Sequence, residues 1–182
     1  MDLIITFGLL TLVILLEFVV VPAIVLKRVT KFSTLYDYPI YIVNSNEVNA
    51  YSLNSVWGKF IVITRGLVNG EDEEHVRAAI MHELGHLKLN HHVKMSLYII
   101  SVIIAFTYLL NLNLFVLIPF GLFALFMQRY FQRRFELSAD KFALRFTNRR
   151  LLEDLITKYD VKETTFLSTH PNIHVRLKNI DQ

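Results

Sequence analysis

Two histidines and a glutamate stand at a spacing that could bind and use a metal ion. In the stretch HELGH, His82 and His86 are four residues apart, so on a helix both imidazoles project from the same face. Glu83 lies beside them and could accept a proton. Two histidines that bind zinc, with an adjacent glutamate as general base, are typical of zinc peptidases. The stretch therefore predicts a zinc-dependent peptide hydrolase.

A catalytic zinc site of this kind needs a third protein ligand and one open position for water. His91 and His92 follow soon after the motif. However, a ligand at that distance requires a glycine at position 89 so that the chain can turn back, and this chain has Leu89 there. We expect the helix to continue, which would place both histidines on other sides of it as polar residues at the membrane surface.

A better candidate for the third ligand lies further along, in the stretch FELSADKFAL. Glu136 and Asp140 are four residues apart among apolar side chains, and burying an unpaired carboxylate is costly. Glu136 on the metal and Asp140 on the outer nitrogen of a ligand histidine would satisfy both groups. The alternative is that both are solvated or pair with nearby cations: Arg133, Arg134 or Lys141.

The composition is that of a membrane protein. Hydrophobic residues make up 53% of the 182 residues and charged residues only 19%, which is more apolar surface than one small core can bury. The chain has no cysteine, so disulfides and thiolate ligands are excluded. A net charge of +3 without a basic stripe predicts no nucleic-acid partner.

Two apolar blocks are long enough to cross a bilayer. Residues 3–26 carry one charge, Glu17, and can span a hydrocarbon core of about 30 Å; the alternative, a signal peptide, would have a basic start. Residues 95–127 are divided by a polar segment at 111–113, which predicts a hairpin of two short helices rather than one long tilted helix. Glu17 is either functional or paired with an Asn or Tyr of the hairpin.

The distribution of basic residues orients these segments. Lysines and arginines follow the first apolar block and flank the second at both ends, whereas residues 1–2 and the polar segment at 111–113 have none. By the positive-inside rule, the water-soluble segments face the cytoplasm, and the protein is predicted to be a multi-pass protein of the cell membrane. The basic residues concerned are Lys27, Arg28, Lys31, Lys94, Arg129, Arg133 and Arg134.

The predicted fold is a mainly α membrane protein with a small antiparallel sheet. Residues 1–26 form a transmembrane helix, and 27–94 hold the sheet and the HELGH helix, which begins after Asp72. Residues 95–128 form the transmembrane hairpin, and 129–182 hold the ELSAD helix, a loop at STHP and a C-terminal helix. The stretches YPIYIVNS, VNAYSL and KFIVIT read as strands because they are rich in Val, Ile and Tyr.

The order of three motifs resembles a known family. HELGH, then a membrane hairpin and ELSAD, then STHPNIHVRL, is similar to the HtpX heat-shock membrane proteases and the related CAAX prenyl proteases. The resemblance runs from Glu47 to Leu177. It implies a zincin-like catalytic domain of the gluzincin type, interrupted by the hairpin, with Zn²⁺ held by the two motif histidines and Glu136. It also implies that Asp140 supports a ligand histidine.

The same resemblance assigns further roles. NAYSL is similar to the edge strand that holds a substrate backbone, so Asn49, Ala50 and Tyr51 are predicted to bind substrate. His170 and Arg176 match a late histidine and arginine that bind the oxyanion, a role that a preorganised donor fulfils. The alternatives are that His170 caps the last helix and that Arg176 makes a surface salt bridge.

The resulting prediction is a membrane endopeptidase that cleaves membrane-associated or misfolded proteins at the cytoplasmic face. The chain departs from the family in size, because HtpX-type proteins usually have another amino-terminal span and CAAX proteases have several more. A farnesylated substrate is therefore left open. Two other readings are a membrane signalling protease of the antibiotic-sensor type and a non-catalytic scaffold with a structural metal.

The two remaining histidines, His75 and His174, are expected at the surface.

Overall fold

The computed structural model of the protein describes residues 2–110, 114–159 and 171–181. In these ranges the chain forms eight α-helices, one π-helical turn and four β-strands. In chain order they are α1 (Asp2–Leu15), the π-helical turn (Leu16–Val20), α2 (Val21–Leu26), β1 (Val29–Leu35), β2 (Tyr38–Val43), β3 (Ala50–Ser55), β4 (Gly58–Thr64), α3 (Arg65–Gly70), α4 (Glu73–Lys88), α5 (His91–Leu110), α6 (Leu114–Ala143), α7 (Arg149–Tyr159) and α8 (Ile173–Ile180).

Three helical segments, Leu3–Leu26, His91–Leu110 and Phe115–Ala143, are long and apolar enough to cross a membrane. The first combines α1, the π-helical turn and α2. The other two pack against each other, and the Tyr98 hydroxyl of α5 donates a 2.5 Å hydrogen bond to the main-chain carbonyl of Ala124 in α6. The segment boundary predicted at residue 128 lies inside α6, so the ELSAD segment continues the last apolar helix without a break.

The sheet is mixed, which corrects the predicted antiparallel arrangement. Its strand order is β1-β2-β4-β3, with antiparallel pairs at both sides and a parallel pair, β2 with β4, in the middle. The β3–β4 hairpin joins β2 through β4, so β3 becomes an edge strand. β1 was not predicted, because its five central residues are exposed and show no apolar alternation.

The core forms where α4 packs on the sheet. Asp72 caps the helix by accepting a hydrogen bond from the main-chain N–H of His75 at 2.9 Å, as the sequence led us to expect of a helix that begins there. The helix contacts β3 and β4, α7 packs against α4, and α8 packs against α6 and α7. The buried residues at the centre are Ile61, Ile63, Met81, Leu84 and Leu87.

α4 and α6 approach closely at the glycine of HELGH. A Cβ atom at Gly85 would lie 3.1 Å from the Cα and 3.2 Å from the carbonyl oxygen of Ala139. A larger residue would therefore push against the α6 backbone rather than against a movable side chain. The glycine allows the two helices to lie near enough for side chains of both to share one site.

The end of α4 differs from the prediction. The helix stops at Lys88, and Asn90 takes a left-handed conformation with a φ of 56° before α5 begins at His91. Asparagine tolerates this conformation better than most residues do. The Lys59 ammonium stabilises the turn by donating to the Leu87 carbonyl at 3.1 Å and to Asn90 Oδ1 at 2.5 Å. The chain therefore reverses here, and His91 and His92 return toward the motif.

Candidate metal centre

The two motif histidines and the distant glutamate meet between α4 and α6. The Nε2 atoms of His82 and His86 are 3.2 Å apart, as expected of residues four apart on one helix face. Glu136 places Oε2 at 3.4 Å from His82 Nε2 and Oε1 at 3.5 Å from His86 Nε2. All three side chains are only 13–14% exposed. The three groups offer ligand atoms that converge on one point and could hold a metal ion.

The two imidazoles have opposite electrostatic surroundings. Burial and the neighbouring His82 lower the pKa of His86 to about 3, so this ring is neutral and keeps a lone pair for a metal. Burial also opposes protonation of His82, but the neighbouring Asp140 and Glu136 carboxylates outweigh it and raise its pKa to about 10. The Asp140 and Glu136 carboxylates thus favour a positive charge beside them. A metal cation bound by the ligand group would supply that charge.

Asp140 lies behind His82 and is completely buried. Its Oδ1 atom forms a close ion pair with His82, 2.9 Å from Nδ1, although the ring N–H does not point straight at it. The Arg176 guanidinium donates from Nε to Oδ2 at 2.9 Å and from Nη2 to Oδ1 at 2.6 Å. A buried carboxylate held in this way fixes the orientation of the imidazole in front of it.

Glu83 lies on α4 beside the ligand group and faces the edge strand. The hydroxyl and the main-chain N–H of Ser52 lie close enough to its carboxylate to act as donors and lower its pKa. Burial raises the pKa of Glu83 to about 7, while His82 and the two Ser52 donors act in the opposite direction. No sequence pattern indicates this contact, since a serine two residues after Ala50 in a strand has no recognisable link to the motif.

His91 and His92 lie beside the ligand group, not on other sides of a continuing helix as we expected. His91 is buried: its Nδ1 is 3.1 Å from His86 Nδ1, its Nε2 is 3.1 Å from the Ser138 hydroxyl, and its ring stacks on Phe135. His92 Nε2 is 3.2 Å from the Ser52 hydroxyl. The reversal at Asn90 causes this difference, because it turns both rings back toward α4.

A cavity of about 320 Å³ opens over the ligand group. His82, Glu83, Glu136 and Arg176 line one side of it. The remainder is bordered by the start of the edge strand and by mainly apolar residues, namely Val48, Asn49, Ala50, Leu67, Ala79, Leu152, Leu155, Ile156 and Tyr159. The cavity therefore joins polar groups that could act on a peptide bond to a wall suited to an apolar side chain.

The residues predicted to bind substrate differ in how their main chains point. Asn49 donates its N–H to the Thr64 hydroxyl and accepts from the Thr64 N–H, both at 3.0 Å, so its main chain faces β4. The Ser52 N–H faces Glu83, away from β4. The main-chain N–H and C=O groups of successive residues point to alternate edges of a strand. Those of Ala50 and Ser52 therefore face the free edge, and those of Tyr51 face β4. Ala50 is thus the member whose main chain borders the cavity.

The remaining predicted residues lie as follows. His170 is outside the described residues, so its role stays a prediction. Arg176 is buried against Asp140 and lines the cavity, rather than pairing at the surface. His75 is partly covered at the start of α4, and His174 is exposed on α8. Glu17 accepts a 2.6 Å hydrogen bond from the Ser96 hydroxyl, a partner other than the Asn or Tyr that we expected.

These features are those of a membrane metallopeptidase. The chain belongs to peptidase family M48, whose sequence model matches residues 21–182. It is 28% identical over 181 residues to the CAAX prenyl protease 1 homolog of Dictyostelium discoideum, covering 79% of this chain and 42% of that protein. It also matches the crystal structure of S. mikatae Ste24p with a TM-score of 0.74 and 18% identity, over 100% of this chain and 58% of that one. The likeness to Ste24p is one of fold. The chain spans about half the length of the Dictyostelium protein and of Ste24p.

Proposed function

We propose that this protein is an integral-membrane, zinc-dependent metalloendopeptidase. The observation that carries the proposal is the Glu136 carboxylate, which lies within 3.5 Å of both motif imidazoles although fifty positions separate it from His86. Zinc bonds of about 2.0–2.1 Å in a tetrahedron put neighbouring ligand atoms about 3.3 Å apart. The observed separations of 3.2 to 3.5 Å fit that spacing.

His82, His86 and Glu136 would hold the zinc ion. When bound, it polarises the substrate carbonyl and makes water a better nucleophile near neutral pH. Glu83 accepts a proton from the attacking water and passes it to the nitrogen of the leaving amine. Ser52, through its hydroxyl and main-chain N–H, would orient the Glu83 carboxylate so that the accepting oxygen stays beside the ligand group.

Asp140 and Arg176 form the support of this arrangement. Asp140 holds the His82 ring, and Arg176 holds Asp140. The predicted oxyanion role of His170 and Arg176 remains part of the proposal. Arg176 lines the cavity, so its guanidinium could approach the negative oxygen of a substrate bound there.

The substrate is a protein or peptide in an extended conformation. The free edge of β3 at Ala50 would add the substrate as a further strand through main-chain hydrogen bonds, which give little sequence selectivity. Asn49 and Tyr51, whose main chains face β4, would contact the substrate through their side chains. The lysines and arginines at the ends of the apolar helices favour a cytoplasmic active site. We therefore propose membrane-associated or misfolded proteins as substrates. The name of the Dictyostelium relative suggests prenylated CAAX proteins as the alternative.

Zinc content and casein hydrolysis by the detergent-purified protein test this function. We expect one zinc per chain, hydrolysis that a chelator abolishes and added zinc restores, and a Glu83→Gln variant that keeps zinc but does not cleave. A structural-metal scaffold would hold zinc and leave casein intact in every sample. Full activity in Glu83→Gln would show that another residue is the base.

A further inference from the structure

The turn between β3 and β4 contacts the first membrane-spanning segment. The main-chain N–H of Val56, in this turn, donates a 3.0 Å hydrogen bond to the carbonyl oxygen of Phe18 in the π-helical turn. Phe18 precedes the end of that segment, Leu26, by eight residues, which is about 12 Å along a helix axis. The tip of the catalytic sheet therefore reaches past the end of the apolar segment and lies alongside it.

The position of this contact follows from a proline. In an α-helix the carbonyl of Phe18 would accept a hydrogen bond from the residue four positions on, which is Pro22 and has no N–H. A carbonyl without a donor is costly in the hydrocarbon region of a bilayer. Val56 supplies an N–H to the carbonyl in place of the α-helical donor that Pro22 lacks. The sheet is thus hydrogen-bonded to the span at a carbonyl whose α-helical donor would be a proline.

The tip itself presents apolar side chains outward. Val56 is 65% exposed and Trp57 is 60% exposed, and the turn from Ser55 to Gly58 contains no charged residue. The neighbouring surface of the span, at Val20 and Val21, is also apolar and exposed. Tryptophan is enriched where membranes meet water, since its ring is apolar and its N–H is polar. The exposed tip therefore continues the lipid-facing surface of the span.

We propose that the β3–β4 tip, defined as the turn Val56–Trp57, is a membrane-contact surface whose partner is the bilayer itself. It lies in the interfacial layer, with both side chains against the upper parts of the lipid acyl chains. β3 then runs from the membrane at its carboxyl end to the cavity at Ala50. A consequence that rests on the proposed function is that an extended segment leaving the bilayer could pair with β3 without first crossing open water.

The test uses the fact that Trp57 is the single tryptophan of the chain, so intrinsic fluorescence reports on the tip alone. The full chain is reconstituted into phosphatidylcholine vesicles with or without bromine atoms on the upper acyl chains. We expect emission at short wavelength, at least about half of it quenched by brominated lipid, and weak quenching by acrylamide in the water phase. Emission at the wavelength of exposed tryptophan, quenched by acrylamide and unaffected by brominated lipid, would overturn the proposal.

A matched variant locates the effect. Trp57→Phe combined with Phe146→Trp moves the reporter to a 41% exposed position after the end of α6, beside the soluble helices. This variant is expected to show strong acrylamide quenching and little quenching by brominated lipid. If both proteins respond alike to the two quenchers, the tip has no special contact with lipid and the proposal fails. Because no cleavage is measured, failure here is distinct from failure of the proposed peptidase activity.

Discussion

Arg176 binds the Asp140 carboxylate through two hydrogen bonds, of 2.9 and 2.6 Å, inside the protein. Asp140 in turn lies 2.9 Å from the ring nitrogen of His82 that faces away from the ligand group. Through these two contacts, Arg176 on α8 positions Asp140 on α6, and Asp140 positions the ligand His82 on α4. The geometry of the metal centre therefore depends on a residue near the carboxyl terminus of the chain.

Replacing Arg176 by lysine should weaken metal binding. Lysine keeps the positive charge but cannot form the two-pronged contact, so Asp140 would be poorly held although fully buried. Residues that orient metal ligands typically affect affinity by about 10–100-fold, and we expect a loss in that range together with a lower Tm. Competition with a zinc chelator gives the affinity.

Arg149→Lys is the control for this substitution. Arg149 forms an exposed pair with Glu153, and exposed pairs contribute at most about 1 kcal/mol. We expect its zinc affinity to equal that of the wild type. Equal affinity in Arg176→Lys would mean that the Asp140 contact has no part in the metal site.

Ser52→Ala should lower kcat while zinc binding is unchanged. The variant removes the hydroxyl that lies beside the Glu83 carboxylate, and a hydrogen bond to a charged group contributes about 1.5–3 kcal/mol, or about 10–150-fold in rate. Ser52→Thr keeps a hydroxyl and should recover most of the activity. Steady-state cleavage of a quenched fluorescent peptide gives kcat and KM separately. A change confined to KM would indicate a substrate-binding role instead.

Gly85→Ala should loosen the metal centre. The new methyl group would meet the α6 backbone at Ala139, and overpacking of this kind costs about 1–3 kcal/mol. Alanine favours the helix by up to about 1 kcal/mol, which offsets the cost only in part. We expect weaker zinc binding because Glu136 moves away with α6. Gly121→Ala, where a Cβ meets nothing within 4 Å, should bind zinc normally.

The start of α4 should give stability a dependence on pH. The main-chain N–H of His75, then its ring, lower the pKa of Asp72, and the Asp72 carboxylate raises the pKa of His75. The contribution of Asp72 is present above about pH 4 and is lost as pH falls through its lowered pKa. That of His75 is present below about pH 6.5 and is lost as pH rises through its raised pKa. The Asp72–His75 pair therefore stabilises the folded state most between about pH 4 and about pH 6.5.

Asp72→Asn isolates this charge effect, because asparagine also caps a helix but carries no charge. Thermal unfolding followed by circular dichroism should show a larger Tm difference between wild type and variant at about pH 5.5 than at about pH 9. A difference that stays constant over this range would show that the charge on His75 is not involved.

Local patterns in the sequence account for much of this molecule. The HELGH histidines lie together because residues four apart share a helix face, and the apolar segments were found because span length is fixed by bilayer thickness. The cap at Asp72 is equally local. Family M48 membership agrees with the resemblance seen in the order of the three motifs.

Features that depend on tertiary contacts were not predicted. The parallel pairing of β2 with β4 follows from where the β3–β4 hairpin docks, which no strand pattern encodes. The turn at Asn90 that ends α4 is stabilised by Lys59, which lies in β4. The contact of Ser52 with Glu83 likewise joins a strand to a helix, and it becomes visible only when both are packed together.

X-ray absorption at the zinc edge, on the purified protein and on Glu136→Ala, tests the central claim most directly. The structure predicts two imidazole nitrogens and a protein carboxylate oxygen at about 2.0–2.2 Å in the wild type. In Glu136→Ala the carboxylate ligand should be lost, with zinc affinity lowered at least about tenfold. A third imidazole in the wild type, from His91 or His92, or an unchanged spectrum in the variant, would contradict the assignment of Glu136.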